Sequence, residues 1–146
     1  MRYNSLDHFL TAQHAAIVTA MVAAQQAAGG HYAALTPAAL QQNAANDVAE
    51  VLHNIRQLLL DSTIIQGFQA GAQENVADGV DLSDLIRMDQ AFERGFCALV
   101  EQELRDQPDL AAELIRRIHY LTGRFRNSVT GVKVDQTLNR LRKKVN

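Results

Sequence analysis

The last third of the chain, residues 108–146, constrains the fold more than any other stretch. Large apolar residues recur there at steps of three and four, which places them on one face of a helix. They are Leu110, Leu114, Ile118, Leu121, Phe125 and Val129. After Gly131 the pattern restarts in a different phase, at Val134, Leu138, Leu141 and Val145. The pattern therefore predicts a long C-terminal helix that begins near Pro108 and changes its apolar face near Gly131.

Shorter helical patterns fill the remainder of the 146 residues. They span about residues 6–28, 37–60, 63–78 and 82–106. Ser5 and Thr36 stand at the first two starts as helix N-caps, and either Asp81 or Ser83 can cap the fourth. Since no stretch alternates as a strand does, the sequence predicts an all-α fold, a bundle of about five helices with a long C-terminal exit helix.

The fourth predicted helix is expected to be central to the core. Its apolar face takes either Met88 or Asp89 and then Phe92 and Phe96. On the third predicted helix Gly67 and Gly71 lie four residues apart, a spacing that lets another helix backbone come close.

Charge is divided unevenly along the chain. Nine basic residues and a single acidic one, Asp135, follow position 115, whereas the first 115 residues carry fifteen acidic and five basic residues. An acidic body with a basic final arm can self-associate, dock an acidic partner or touch nucleic acid. We expect a homodimer because a single helix with the apolar stripe of residues 110–129 would expose too much apolar surface, and we do not expect nucleic acid as a partner.

A cytoplasmic location is expected from two features. Cys97 is the single cysteine, which excludes an internal disulfide and fits a reducing compartment. No apolar run approaches the length of a membrane span, and the first residues lack the layout of a signal peptide.

Residues that carry chemistry are few and scattered. No histidine pair or Cys/His cluster has metal-ligand spacing, and only one Glu-x-x-His match exists, Glu50 with His53, where a di-iron bundle requires two. Cys97 lies in mid-helix among apolar residues, unlike a nucleophilic thiol. We therefore expect no catalytic group, no metal and no cofactor. His53 and His119 are the candidates for a haem ligand, with a partly buried histidine bonded to a neighbour as the ordinary alternative.

Four stretches carry a resemblance to a known family. They are the helix at 51–60 (VLHNIRQLLL), the acidic segment at 79–86 (GVDLSDLI), Phe92 with Phe96, and the end of the exit helix at 138–141 (LNRL). With this helix order the chain resembles the N-terminal sensor module of RsbR-type stressosome proteins. In that family a globin-like helical domain without haem precedes a STAS domain, and similar modules precede phosphatases and kinases.

The resemblance implies a non-enzymatic bacterial signalling input domain, dimeric, that relays a stimulus to an effector domain. Residues 1–130 would form the sensor domain and residues 131–146 the output linker helix. The dimer interface would use Leu121, Phe125, Val129, Val132, Leu138 and Leu141, although Leu121 and Phe125 also fit an ordinary core. The alternatives are a haem-binding globin-type sensor and a small nucleic-acid-associated helical protein.

Overall fold

A computed structural model of the chain shows a bundle of helices. It describes residues 2–57 and 61–145, and of residues 61–65 and Val145 it describes the backbone alone. The helices are α1 (Leu6–Ala12), α2 (His14–Ala28), α3 (Pro37–Gln57), α4 (Asp61–Ala77), α5 (Leu82–Glu103) and α6 (Pro108–Val145), with a 3₁₀ helix at Gly30–Ala34. Within these ranges no residue is in a strand. The predicted all-α bundle with a long C-terminal helix is confirmed.

The first predicted helix is in fact two, so the described chain has six α-helices where about five were expected. The break lies at Gln13, whose side chain donates to the hydroxyl of the buried Tyr3 at 2.8 Å. With the helix broken at this residue, Phe9 and Leu10 on α1 and Ile17 on α2 are all fully buried. The predicted cap of α1 is confirmed, because Ser5 Oγ accepts the His8 amide at 3.0 Å.

Caps and ends of the other helices follow the sequence closely. Thr36 Oγ1 accepts the Ala39 amide at 3.2 Å, and Asp81 rather than Ser83 caps α5, because its Oδ1 accepts the Ser83 amide at 2.8 Å. The fourth predicted helix ends at Glu103, three residues early. Residues 58–60, the predicted end of the second helix, lie outside the described residues.

The core is organised around α5, which packs against α2 on one side and α6 on the other. Phe92 and Phe96 on α5 are buried, as predicted, and their rings lie 6.0 Å apart. Met88 and Asp89 are both buried, although the apolar face was expected to take one or the other. α3 packs on α2, and α4 packs on α6.

The long helix α6 is continuous through Gly131. A glycine costs a helix only about 1 kcal/mol relative to alanine, and the buried Val129 and Val132 hold both sides of it on the body. Lys133 Nζ still donates to Ser83 Oγ, at 2.6 Å. From Val134 to Lys144 the side chains are exposed, except for the half-buried Gln136. The predicted change of apolar face therefore occurs where α6 leaves the body.

Candidate functional site

A cavity of about 150 Å³ lies between α3 and α4, with α5 and α6 behind it. Five α-helices and the 3₁₀ helix contribute residues to its wall. They are Met21 from α2, Tyr32 from the 3₁₀ helix, Asn43, Asp47, Glu50, Val51 and Asn54 from α3, Gly67, Phe68, Gly71 and Asn75 from α4, Leu85, Met88, Asp89 and Phe92 from α5, and Ile118, Leu121, Thr122 and Phe125 from α6. Glu50 and Gly67 are exposed and mark its mouth, whereas Asp89 and Phe92 lie buried in the interior.

The cavity exists because α3 and α4 face each other with polar and small residues. Four polar residues of α3 fall at steps of four, three and four, on one face: Asn43, Asp47, Glu50 and Asn54. Gly67 and Gly71 of α4 also line the cavity, and a Cβ built on either one would have no described atom within 4 Å apart from its chain neighbours and the nearby backbone of α4. The two glycines therefore leave space open. This differs from the expectation that they bring another helix backbone close.

Aromatic rings form the apolar wall of the cavity. Phe68 of α4 and Phe125 of α6 meet edge to face, with ring centroids 5.3 Å apart. The buried Phe92 of α5 adds a third ring. The cavity thus has a polar side on α3 and an aromatic side on α4, α5 and α6, the combination typical of small-molecule sites.

Asp89 is the most unusual residue of the cavity wall. It is 7% exposed, and its Oδ2 atom has no hydrogen-bond partner among the described residues. The nearest cation is the Arg126 guanidinium, whose Nε atom is 4.0 Å from that oxygen, beyond hydrogen-bond distance. Burial raises the pKa of Asp89 to about 7, with Arg126 lowering it and Glu93 raising it further. Near neutral pH this carboxyl group therefore exists in both protonation states.

A second carboxyl group, Asp47, lies on the α3 side of the cavity. Its Oδ2 atom accepts from Gln25 Nε2 at 2.8 Å, and the same amide donates to Asn43 Oδ1 at 3.0 Å. Burial and the charge of Glu50 raise the pKa of Asp47 to about 6, against the lowering effect of the Gln25 hydrogen bond. Burial also raises the pKa of Tyr32, with Asp47 contributing, so its hydroxyl remains a donor at physiological pH.

Polar side chains link the Asp89 region to the surface of α6. Glu93 Oε1 lies 3.0 Å from His119 Nδ1, and Glu93 Oε2 accepts from the Thr122 hydroxyl and lies 3.4 Å from an Arg126 Nη atom. Because Arg126 also lies beside Asp89, a change of charge in the cavity alters the electrostatic potential at Arg126 on α6.

The histidines predicted as haem-ligand candidates are both away from the cavity. His53 is exposed on α3, and His119 is an exposed partner of Glu93. No histidine is among the described residues that line the cavity. Cys97 is half-buried on α5, where burial and the nearby Glu93 and Glu101 raise its thiol pKa to about 11, so it is a neutral thiol at pH 7.

The six residues predicted at a dimer interface fall into two groups. Leu121, Val129 and Val132 are buried in the chain's own core, and Phe125 is half-buried against Phe68. The other two are exposed on the projecting part of α6, Leu138 at 44% and Leu141 at 53%, and Val134 joins them at 51%. Of the six predicted residues, those whose side chains remain open to solvent therefore lie at the end of α6. We call Val134, Leu138 and Leu141 the distal stripe.

Several cations of the basic final third are engaged within the chain. Arg116 and Arg117 both pair with Glu113, and Arg117 also donates to the Ile55 carbonyl at 2.6 Å. Arg126 pairs with Glu93. The exposed cations at the end of α6 are Arg140, Arg142, Lys143 and Lys144.

Comparisons with protein-family models, with curated proteins and with solved structures find no match for this chain. Within residues 2–57 and 61–145 no helix is long and apolar enough to cross a membrane. The described side chains include no group of three His, Cys, Asp or Glu residues placed to hold a metal ion.

Proposed function

We propose that this chain is a non-enzymatic, cytoplasmic signal input module, which senses through the cavity and relays the signal along α6 to an effector, as the resemblance to RsbR-type sensor modules implies. The body would act as the sensor, and the projecting end of α6 as the output element. The relay requires a partner for the output end, which we propose to be a second copy of the chain.

One observation carries this proposal: α6 is both a wall of the cavity and the element that leaves the body. Ile118, Leu121, Thr122 and Phe125 line the cavity, and the same unbroken helix extends to the distal stripe. Leu138 lies thirteen residues beyond Phe125, about 20 Å along the helix axis. A continuous helix transmits a shift or rotation of its base to its far end, as packed helices do in signalling transitions.

The distal stripe supports the proposed dimer. Its three residues follow at steps of four and three, the spacing of a two-stranded coiled-coil seam. Exposed apolar residues that recur along one helix face mark an interaction surface. Residues 134–144 of two chains would bury these side chains against each other while their cations stay in solvent.

The first measurement is the oligomeric state. Light scattering at micromolar concentration should give twice the chain mass of 16.1 kDa. Replacing both Leu138 and Leu141 by Gln should give a monomer, because the seam loses its two central apolar residues. The exchange of exposed Asn139 for Ala on the same turn is the matched control and should leave the dimer intact. A monomeric wild-type chain would contradict the proposal.

The relay is tested in the same samples by filling the cavity. Gly71→Leu places a leucine side chain in the open space beside α4, whereas Ala70→Leu places the same side chain on the exposed side of that helix. We expect hydrogen exchange over residues 134–144 to change in the Gly71 variant and to match wild type in the Ala70 variant. Identical hydrogen exchange over residues 134–144 in the two variants would show that filling the cavity does not affect the end of α6.

A further inference from the structure

We propose that the cavity binds a small organic ammonium ion with an apolar body about the size of a benzene ring. The inference rests on the proposed input function, for which it names the class of ligand. Three independent features of the described residues converge on it: the sign of the charges on the wall, an acceptor without a donor, and the shape and chemistry of the opposite side.

The charged groups on the cavity wall all have one sign. Asp47, Glu50 and Asp89 contribute three carboxyl groups, and the described lining residues include no lysine, arginine or histidine. The closest cation, Arg126, lies behind Asp89 and is shared with Glu93. A negative potential in a partly enclosed, low-dielectric space attracts cations and repels anions. The ligand therefore carries a positive charge.

The unpartnered oxygen of Asp89 shows where that charge would lie. A buried acceptor without a donor costs about 1–3 kcal/mol, and more when it is ionised. Most buried polar groups in proteins have a partner, so this one marks a position where a donor is missing. An ammonium group supplies N–H donors and a charge at once, and such charge-assisted hydrogen bonds are about twice as strong as neutral ones.

The rest of the ligand is defined by the aromatic side. The rings of Phe68, Phe92 and Phe125 line the space next to Asp89, and they contact the apolar body and attract a nearby cation through their faces. The volume of about 150 Å³ equals that of a buried protein cavity known to hold benzene. A hydrated metal ion or a long polyamine would leave these rings without a partner.

Binding an ammonium ion should also displace the proton of Asp89. The positive ligand favours the carboxylate, so affinity falls as pH drops below about 7 and the carboxyl group becomes protonated. The other ionisable groups around Asp89 contribute to the electrostatic potential at the same place: Glu93 on α5, Arg126 on α6, Asp47 and Glu50 on α3, and Tyr32 on the 3₁₀ helix.

The test uses three probes of the same size that differ in charge: benzylammonium, benzyl alcohol and benzoate. Calorimetric titration at about pH 7.5 should show benzylammonium binding about tenfold more tightly than benzyl alcohol, because a charge-assisted hydrogen bond is about twice as strong as a neutral one. A tenfold difference in affinity corresponds to about 1.4 kcal/mol. Benzoate should bind most weakly. Equal affinities for the alcohol and the ammonium ion, or no binding of any probe, would overturn the proposal.

Two variants and one control connect that preference to the cavity. Asp89→Asn should reduce the preference for benzylammonium over benzyl alcohol at least fivefold, while Asp78→Asn, at an exposed position beyond α4, should leave it unchanged. Gly71→Leu should block all probes. If the Asp89 variant binds benzylammonium with the same preference over benzyl alcohol as wild type, Asp89 is not the group that binds the ammonium ion. If no probe binds but the dimer and the relay described above are observed, the ligand class is wrong and the input function stands.

Discussion

Replacing Asp89 by Asn removes a carboxyl group whose ionised form is disfavoured by burial in the cavity wall, and it leaves the side-chain shape almost unchanged. The pKa of Asp89 is raised from 3.8 to about 7, chiefly by burial. Because the folded state binds this proton more tightly than the unfolded state does, its stabilising effect is complete below pH 3.8 and is lost as pH rises through 7.

The size of this effect follows from the two pKa values. Between the fully protonated and fully ionised limits it amounts to about 4 kcal/mol, at 1.36 kcal/mol for each factor of ten in proton affinity. About 2.5 kcal/mol of that falls between pH 5 and pH 8. Asparagine does not titrate, so the variant lacks this loss. We expect the free energy of unfolding of the variant, relative to wild type, to increase by about 2.5 kcal/mol from pH 5 to pH 8.

Urea denaturation followed by far-ultraviolet circular dichroism measures this difference at both pH values. All other groups titrate in both proteins, so their contributions cancel in the comparison, and Asp78→Asn at an exposed position serves as the control with a flat difference. A relative stability of the Asp89 variant that is the same at both pH values would refute the reasoning. It would mean that Arg126 compensates the buried carboxylate in full.

Two further changes test the core and the turn before α3. Phe96→Ala should lower the free energy of unfolding by about 3–5 kcal/mol, because the ring is fully buried on the central helix, and a melting temperature within a degree or two of wild type would contradict its burial. Gly30→Ala should lower the free energy of unfolding, measured by urea denaturation, more than Gly79→Ala does. Both glycines have positive φ, but of the two only Gly30 lies so close to a side chain, the Asp84 carboxylate, that an added Cβ would overlap it. Equal losses of stability in the two variants would contradict that close approach.

Most of the fold follows from local signals in the sequence. Ser5 and Thr36 each cap the helix that they were expected to begin, and Asp81, one of the two candidates for the cap, begins α5. The apolar spacing along α5 correctly buries Phe92 and Phe96. The break at Gln13 could not be predicted in this way. Gln13 donates a hydrogen bond there to the Tyr3 hydroxyl, and two hydrogen bonds join the Tyr3 backbone to the side chain of Gln107, which is more than ninety residues away from Gln13 in the sequence. Local sequence patterns do not report such distant contacts.

The cavity was missed because its polar wall has the pattern of a solvated helix face. Asn43, Asp47, Glu50 and Asn54 repeat at helical spacing beside the apolar face of α3, and polar residues at that spacing normally face water. The sequence does contain one sign of the cavity. Gly67 and Gly71 are two positions one turn apart on α4 that have no side chain to fill the space beside that helix. Spacing alone cannot distinguish glycines that admit a helix from glycines that leave a space, since that depends on where α3 lies.

The geometry of α6 determines how the cavity could act on a partner. The buried side of the helix runs through Leu121, Phe125, Val129 and Val132, and the distal stripe begins only two residues later, at Val134. Two residues turn an α-helix by about 200°, so the distal stripe points away from the side on which α6 packs against the body. A ligand that pushes the Phe125 ring outward would thus move α6 toward the side that bears the distal stripe. In the proposed dimer, the approach or separation of two chains at Leu138 would then depend on the contents of the cavity, and the Gly71 and Ala70 variants measure this dependence.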